Sequence, residues 1–220
     1  MLVHRLREVV AQAGFTRFEA AATDVEGDLE LGVLPAALAR EMSWVPAIEN
    51  RGEGIFLQFS SEALAEWVNR PAVLHYGASL NAGFDVWKSE HRSSRRDFPP
   101  LQYYLLHSLS HMLITTISLE CGYPVSSIRE RIYAFDDVGY GILLYTGSPD
   151  SEGTLGGVIQ EGRRIHEHMQ LAFSQAELCS NDPICSQHQP DNLHERRFLD
   201  GAACHGCLLI AETSCEQQND

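Results

Sequence analysis

A chain of 220 residues, 44% apolar and 21% charged, carries enough apolar surface to bury a substantial core, which predicts a globular protein of one large domain or a domain with a small satellite. A net charge of −14 argues against an extended nucleic-acid-binding surface, because neutralisation of phosphates by Lys and Arg supplies most of that affinity. The opening residues Met1-Leu-Val-His-Arg-Leu-Arg-Glu8 mix charged and apolar side chains without a continuous apolar run, so neither a secretory signal nor a membrane anchor is expected and the chain reads as cytoplasmic.

Apolar residues at Val3, Leu6, Val9 and Val10 predict a helix over 3–13 that stops at Gly14. The Asp-, Glu- and Gly-rich stretch after it reads as a loop or hairpin, and 44–49 as extended chain. Gly52-Glu-Gly54 leads into a short apolar strand over 55–59, where glycine conformations are expected at the entry. Ser60-Ser-Glu62 marks a helix start, with Ala63, Leu64 and Trp67 on one face. Residues 69–100 contain Gly77, Gly83 and a closing Pro99-Pro100 and read as a boundary or mobile connection. They also hold the chain's basic concentration, Arg92, Arg95 and Arg96 with Lys88 and His91 nearby. That group is a candidate anion or partner contact, against the plainer reading of solvated loop charge.

A long helix is predicted over 101–121, ended by Gly122 with Pro124 beyond it. Its apolar residues lie nearly all round, which indicates burial, yet Tyr104, His107, His111, Thr115 and Ser118 share one stripe. Histidines four apart on a helix can grip one metal. Ser108 stands where a His-Glu-x-x-His enzyme has its general base, so satisfied core histidines are the competing reading. Residues 132–135 and 141–146 read as two strands joined by Asp136-Asp-Val-Gly-Tyr140. A glycine-rich loop containing Gly153, Gly156 and Gly157 then precedes a helix over 158–178, an arrangement that can offer N–H groups to an anion. It lacks the P-loop and dinucleotide-fold patterns, and Asp150, Glu152 and Glu161 beside it would repel phosphate. A tight structural turn packing Gly156-Gly157 against the long helix is the alternative.

Five of the six cysteines lie from Cys179 onward. In a reducing compartment, clustered thiols more often bind metal than form disulfides. Cys204-His-Gly-Cys207 can present two sulfurs on one side of a knuckle, and Cys179 and Cys185 can offer two more from a Pro183-containing loop. Cys215 and His205 compete for one of the positions. One structural Zn2+ is predicted, since a site closed by four protein ligands builds fold rather than catalysing a reaction. Redox chemistry at Cys204-x-x-Cys207 is the alternative.

Leu106-His-Ser-Leu-Ser-His111, Ser127-Ile-Arg-Glu-Arg-Ile-Tyr133, Gly141-Ile-Leu-Leu-Tyr-Thr146, Ser151-Glu-Gly-Thr-Leu-Gly-Gly157, the two cysteine pairs and Glu212-Thr-Ser-Cys-Glu216 together resemble the C-terminal part of the DrmB family. Leu6-Arg-Glu-Val9, Gly14-Phe-Thr-Arg17 and Gly52-Glu-Gly-Ile-Phe56 extend the resemblance over nearly the whole chain. DrmB is the helicase-associated subunit of the DISARM anti-phage system and shares its zinc-binding module with MrfA-type DNA-repair helicases. The resemblance implies that Cys179, Cys185, Cys204 and Cys207 are the zinc ligands and that Cys215 plays a neighbouring role, and it establishes no catalytic residue. It also implies a chain shorter than its relatives: a fragment, a split gene product or a minimal form.

The expected fold is therefore α+β, a small sheet packed on the long helix with a C-terminal four-cysteine zinc knuckle. Residues 1–98 form an N-terminal α/β segment with the basic loop, and 99–220 the MrfA-type zinc-binding domain. The expected role is a non-catalytic accessory to a DrmA-like helicase subunit, with DNA reached through that partner and no membrane. A metal-dependent hydrolase using His107 and His111 with Asp136, Asp137 or Glu120 is the alternative from another class, and a zinc-stabilised interaction module unrelated to DNA is a third.

Overall fold

The computed structural model describes residues 1–12, 14–16, 22–23, 29–30, 36–38, 40–41, 43–90, 97–146, 156–188 and 203–219. In chain order these give strand β1 (Leu2–Ala11), the short antiparallel pair β2 (Ala22–Thr23) and β3 (Leu29–Glu30), and strand β4 (Ala47–Phe59). Helices α1 (Ser61–Val68), α2 (Pro71–Glu90) and α3 (Leu101–Cys121) follow. A single 3-10 turn (Val125–Ser127) leads into strands β5 (Ile128–Phe135) and β6 (Gly139–Thr146), then helices α4 (Gly157–Gly162) and α5 (Ile165–Ala176). The main sheet is antiparallel with strand order β1-β4-β6-β5, so it takes strands from both sides of position 98. The fold is α+β, as the residue pattern implies.

The long helix has the bounds expected of it. Gly122 closes α3 at φ 70°, the left-handed region, and its N–H returns to the Ser118 carbonyl at 3.0 Å. Leu106, Leu113, Ile114 and Ile117 on α3 are fully buried together with Ile128, Ile132, Ile142 and Leu144 of the sheet. Each such side chain contributes about 1.5–3 kcal/mol relative to exposure. Along β5 the inward positions are Ile128, Glu130, Ile132 and Ala134, so a carboxylate occupies one apolar-face position directly under α3.

Four expectations change. The segment read as a helix over 3–13 is strand β1, paired with β4 along its length. Between Val3 and Leu6 the register shifts by one residue, and this extra residue turns the strand period of two into a step of three that imitates a helix. Val9 and Val10 remain 61% and 43% exposed, so no helical apolar face is buried there. Secondly, 71–90 is not a loose connection but the helix α2. Val73, Tyr76, Leu80, Phe84 and Trp87 keep helical spacing through it, and Gly77 sits where a Cβ would lie 2.5 Å from Leu101 Cδ1. Arg92, Arg95, Arg96 and Gly153 lie outside the described residues.

Thirdly, Gly52 and Gly54 fall within β4 rather than before it, and their role is space rather than conformation. A Cβ on Gly52 would stand 1.7 Å from the Thr146 carbonyl oxygen, and one on Gly54 2.6 Å from that of Leu144. Finally, the helix expected over 158–178 breaks between α4 and α5. Gly162 lies against Leu2 and Ile55, with 2.7 Å available to a Cβ, and glycine also weakens helix continuation. Arg164 stabilises the break through Glu161 and Glu167, at 3.4 and 2.7 Å.

Candidate metal centres

The two cysteine pairs meet. Their four Sγ atoms lie within 4.8 Å of one another, with Cys179–Cys204 at 3.5 Å, Cys185–Cys207 at 3.7 Å and Cys204–Cys207 at 3.8 Å. Thiolates at the corners of a tetrahedron around zinc stand about 3.8 Å apart for a Zn–S bond of about 2.3 Å. The donor set and its spacing therefore fit Zn2+. Each pair is shaped by the same local device: Asn181 N–H donates to Cys179 Sγ at 3.4 Å and Gly206 N–H to Cys204 Sγ at 3.3 Å, both two residues along. Asp182 holds the first loop by accepting from Cys179 N and Ser186 N at 3.3 and 3.0 Å. At Gly206, a Cβ would stand 2.6 Å from Ser180 Oγ, so the two knuckles approach closely there.

Electrostatics within the cluster favour a cation. Burial pushes the Cys204 thiol up, but the Asn181 amide and the Gly206 N–H outweigh it and hold it at about 7. Burial and the neighbouring sulfurs push Cys185 well above the ordinary thiol range, and Cys207 is raised chiefly by burial. Four sulfurs this close cannot all ionise together without a compensating charge, which a coordinated divalent ion supplies. His205 is exposed, and Cys215 is not in this group.

Cys215 belongs to a different constellation. The ligand atoms of His107, His111, Glu130 and Cys215 also lie within 4.8 Å of one another. From α3, His107 Nε2 is 2.9 Å and His111 Nε2 3.1 Å from Glu130 Oε1 on β5. Cys215 Sγ is 3.1 Å from His107 Nε2. Burial favours neutral His107, but the Glu130 carboxylate and the Cys215 thiol overcome it and raise His107 to about 9. Burial raises Glu130, and the two histidines reverse that and hold it well below the usual carboxylate range. Ser110 Oγ donates to the other Glu130 oxygen. The C-terminal residues are fastened to the outer edge of β5, where Glu130 N–H donates to the Ser214 carbonyl at 3.2 Å and Ile132 N–H to Glu216 Oε2 at 3.1 Å.

The acidic residues paired with the histidines by the hydrolase alternative are not in this group. Asp136 accepts from the Tyr140 hydroxyl, and Glu120 stands 3.9 Å from Arg164. Glu130 is the carboxylate that meets the histidines. Its place could have been read from Ile128-x-Glu130-x-Ile132, since strand alternation puts all three on one face.

Of the glycine-rich loop, the structure describes Gly156 and Gly157. Gly156 adopts φ 121° and Gly157 packs on Tyr123, where a Cβ would lie 2.8 Å from the hydroxyl. The N–H groups at the start of α4 that seemed available to an outside anion take a buried internal one. Val158 N and Ile159 N donate to Glu53 Oε1 at 2.9 and 3.3 Å.

Comparison with known proteins bears on the cysteine centre. Residues 109–208 match the family model of the MrfA Zn-binding domain, a span containing all four cysteines of the first cluster. Over 219 residues, 98% of the chain, the sequence is 35% identical to the DISARM protein DrmB of Bacillus paralicheniformis (strain ATCC 9945a / NCIMB 11709 / CD-2). The chain is thus similar to DrmB along nearly its whole length, and residues 109–208 are similar to the MrfA Zn-binding domain. It spans 38% of the length of that DrmB relative. No helix among the described residues is long and apolar enough to cross a membrane.

Proposed function

We propose that the chain is a non-catalytic, zinc-stabilised accessory protein that scaffolds a DrmA-like helicase subunit in anti-phage defence or DNA processing. The observation that carries this reading is 35% identity to DrmB across 98% of the chain. In this reading Cys179, Cys185, Cys204 and Cys207 hold the zinc, residues 99–220 carry the zinc-binding unit, and DNA is reached in the cytoplasm through the helicase. ATP hydrolysis belongs to that partner. A non-catalytic role is supported by the donor set itself. Four protein thiolates complete a tetrahedron and leave no position for a water or a substrate. The hydrolase alternative draws less support, because the histidines it needs face Glu130 and Cys215, both buried, and not Asp136, Asp137 or Glu120.

Co-expression of the full chain with a DrmA-like helicase subunit tests the proposal. An affinity tag on this chain is expected to retain the helicase through size-exclusion chromatography. A folded, zinc-loaded chain that elutes alone in every such preparation overturns the accessory role.

A further inference from the structure

We propose that His107, His111, Glu130 and Cys215 form a second metal site, for Zn2+ or a similar borderline divalent cation, separate from the four-cysteine centre. Three elements far apart in sequence deliver four donors of metal-binding type to one point: two imidazole nitrogens one turn apart on α3, a carboxylate from β5 and a sulfur from the C-terminal turn. Three of the four donors are buried, and His107 is partly buried. His111, Glu130 and Cys215 are 4%, 3% and 5% exposed.

Hydrogen bonding around the group prepares the donors. His111 Nδ1 is 3.0 Å from the Leu208 carbonyl oxygen. That oxygen can only accept, so Nδ1 donates to it, and Nε2 is left facing Glu130 as the nitrogen placed to bind a cation. A metal-ligating histidine is commonly oriented in this way, by donating its other N–H to a backbone carbonyl. Ser110 Oγ and the Glu216 N–H, the latter at 3.3 Å, fix the Glu130 carboxylate. Asn219 N–H donates to Cys215 Sγ at 3.2 Å, the kind of N–H to sulfur bond that also supports Cys179 and Cys204 in the first centre.

The spacing is close to what a cation requires. Nitrogen, oxygen and sulfur donors arranged tetrahedrally around zinc stand about 3.3–3.6 Å apart. The three measured separations, 2.9, 3.1 and 3.1 Å, need to open by only a few tenths of an ångström. Four protein donors make this a closed site. Its effect is to clamp the C-terminal turn onto α3 and β5. The zinc-binding family match does not account for it, since His107 and Cys215 both lie outside residues 109–208.

Native mass spectrometry and elemental analysis of the full chain, purified without chelators and exchanged into zinc-containing buffer, test the assignment. Two metal equivalents per chain are expected. His107→Ala and, more gently, Cys215→Ser should each lower the count to one. In cobalt-substituted protein, Cys215→Ser should leave the intense sulfur-to-cobalt bands of the four-cysteine centre in place. A wild-type chain that binds a single equivalent overturns the second site, and so does a second equivalent that survives both His107→Ala and Cys215→Ser. Neither result depends on whether the chain associates with a helicase.

Discussion

Glu53 offers a direct measure of how the start of α4 is held. Its side chain is 4% exposed, and its Oε1 accepts from the first amides of α4, with Val158 and Ile159 themselves 0% and 6% exposed. Glu53→Ala leaves two buried N–H groups without a partner, at about 1–3 kcal/mol each. It also removes a favourable charge from a helix start, worth about 0.3–1 kcal/mol. Relief of the buried carboxylate's desolvation offsets part of this. The net loss should be about 3 kcal/mol, or roughly 6–12 °C in the unfolding midpoint of a chain this size. Glu53→Gln keeps a carbonyl acceptor and forfeits only the charge assistance, so it should cost about 1 kcal/mol. Urea unfolding of zinc-loaded wild type, Glu53→Gln and Glu53→Ala gives the comparison. Coincident curves for the two variants, or an alanine variant within about 0.5 kcal/mol of wild type, would refute the capping role and return the α4 amides to consideration as an outside anion's site.

Two glycines separate the demand for space from the demand for conformation. Gly52→Ala places a Cβ 1.7 Å from the Thr146 carbonyl, so β4 and β6 must part, with an expected loss of about 3 kcal/mol or more. Gly122→Ala meets no atom within 4 Å and should cost only the left-handed backbone, about 1–2 kcal/mol; the reverse ranking in thermal unfolding contradicts both assignments. Zinc removal by chelation, or Cys204→Ser, should unfold the C-terminal residues, since structural zinc contributes about 10–16 kcal/mol of apparent binding energy in zinc-finger peptides. Because the Leu208 carbonyl follows Cys207 directly and holds His111, hydrogen exchange should rise across 208–219. A zinc-free protein with unchanged exchange there refutes the structural role.

Helix α3 was legible because everything that defines it is local: a proline at its start, an apolar surface nearly all round, and Gly122 at its end. The β5–β6 hairpin was legible for the same reason, although its first strand was read only from Ile132 and so left Glu130 out. Strand β1 was not. Its identity is set by pairing with β4, some forty residues away in sequence, and a single bulge was enough to disguise its period. Helix α2 was hidden by Gly77 and Gly83, which usually count against a helix. Gly77 lies where α2 approaches Leu101 closely, a fact that only the packed structure contains.

The two metal centres differ in the same way. Cys204-x-x-Cys207 announces itself because a short turn alone brings both sulfurs to one side, and the other pair needs only a loop to join it. The histidine centre has no such local logic beyond the one-turn spacing of His107 and His111. Its carboxylate lies across the core on β5, and its sulfur comes from a turn pinned to that strand's edge by Ser214 and Glu216. The decisive clue was a charge on the wrong face of a strand. Glu130 alternates with Ile128 and Ile132, and a carboxylate forced inward by strand geometry must find positive or donor groups there. The same helix face that presents His107 and His111 supplies them. An acidic residue at an apolar strand position and a histidine pair on the helix predicted to cover it therefore point to one another, before any coordinate is known.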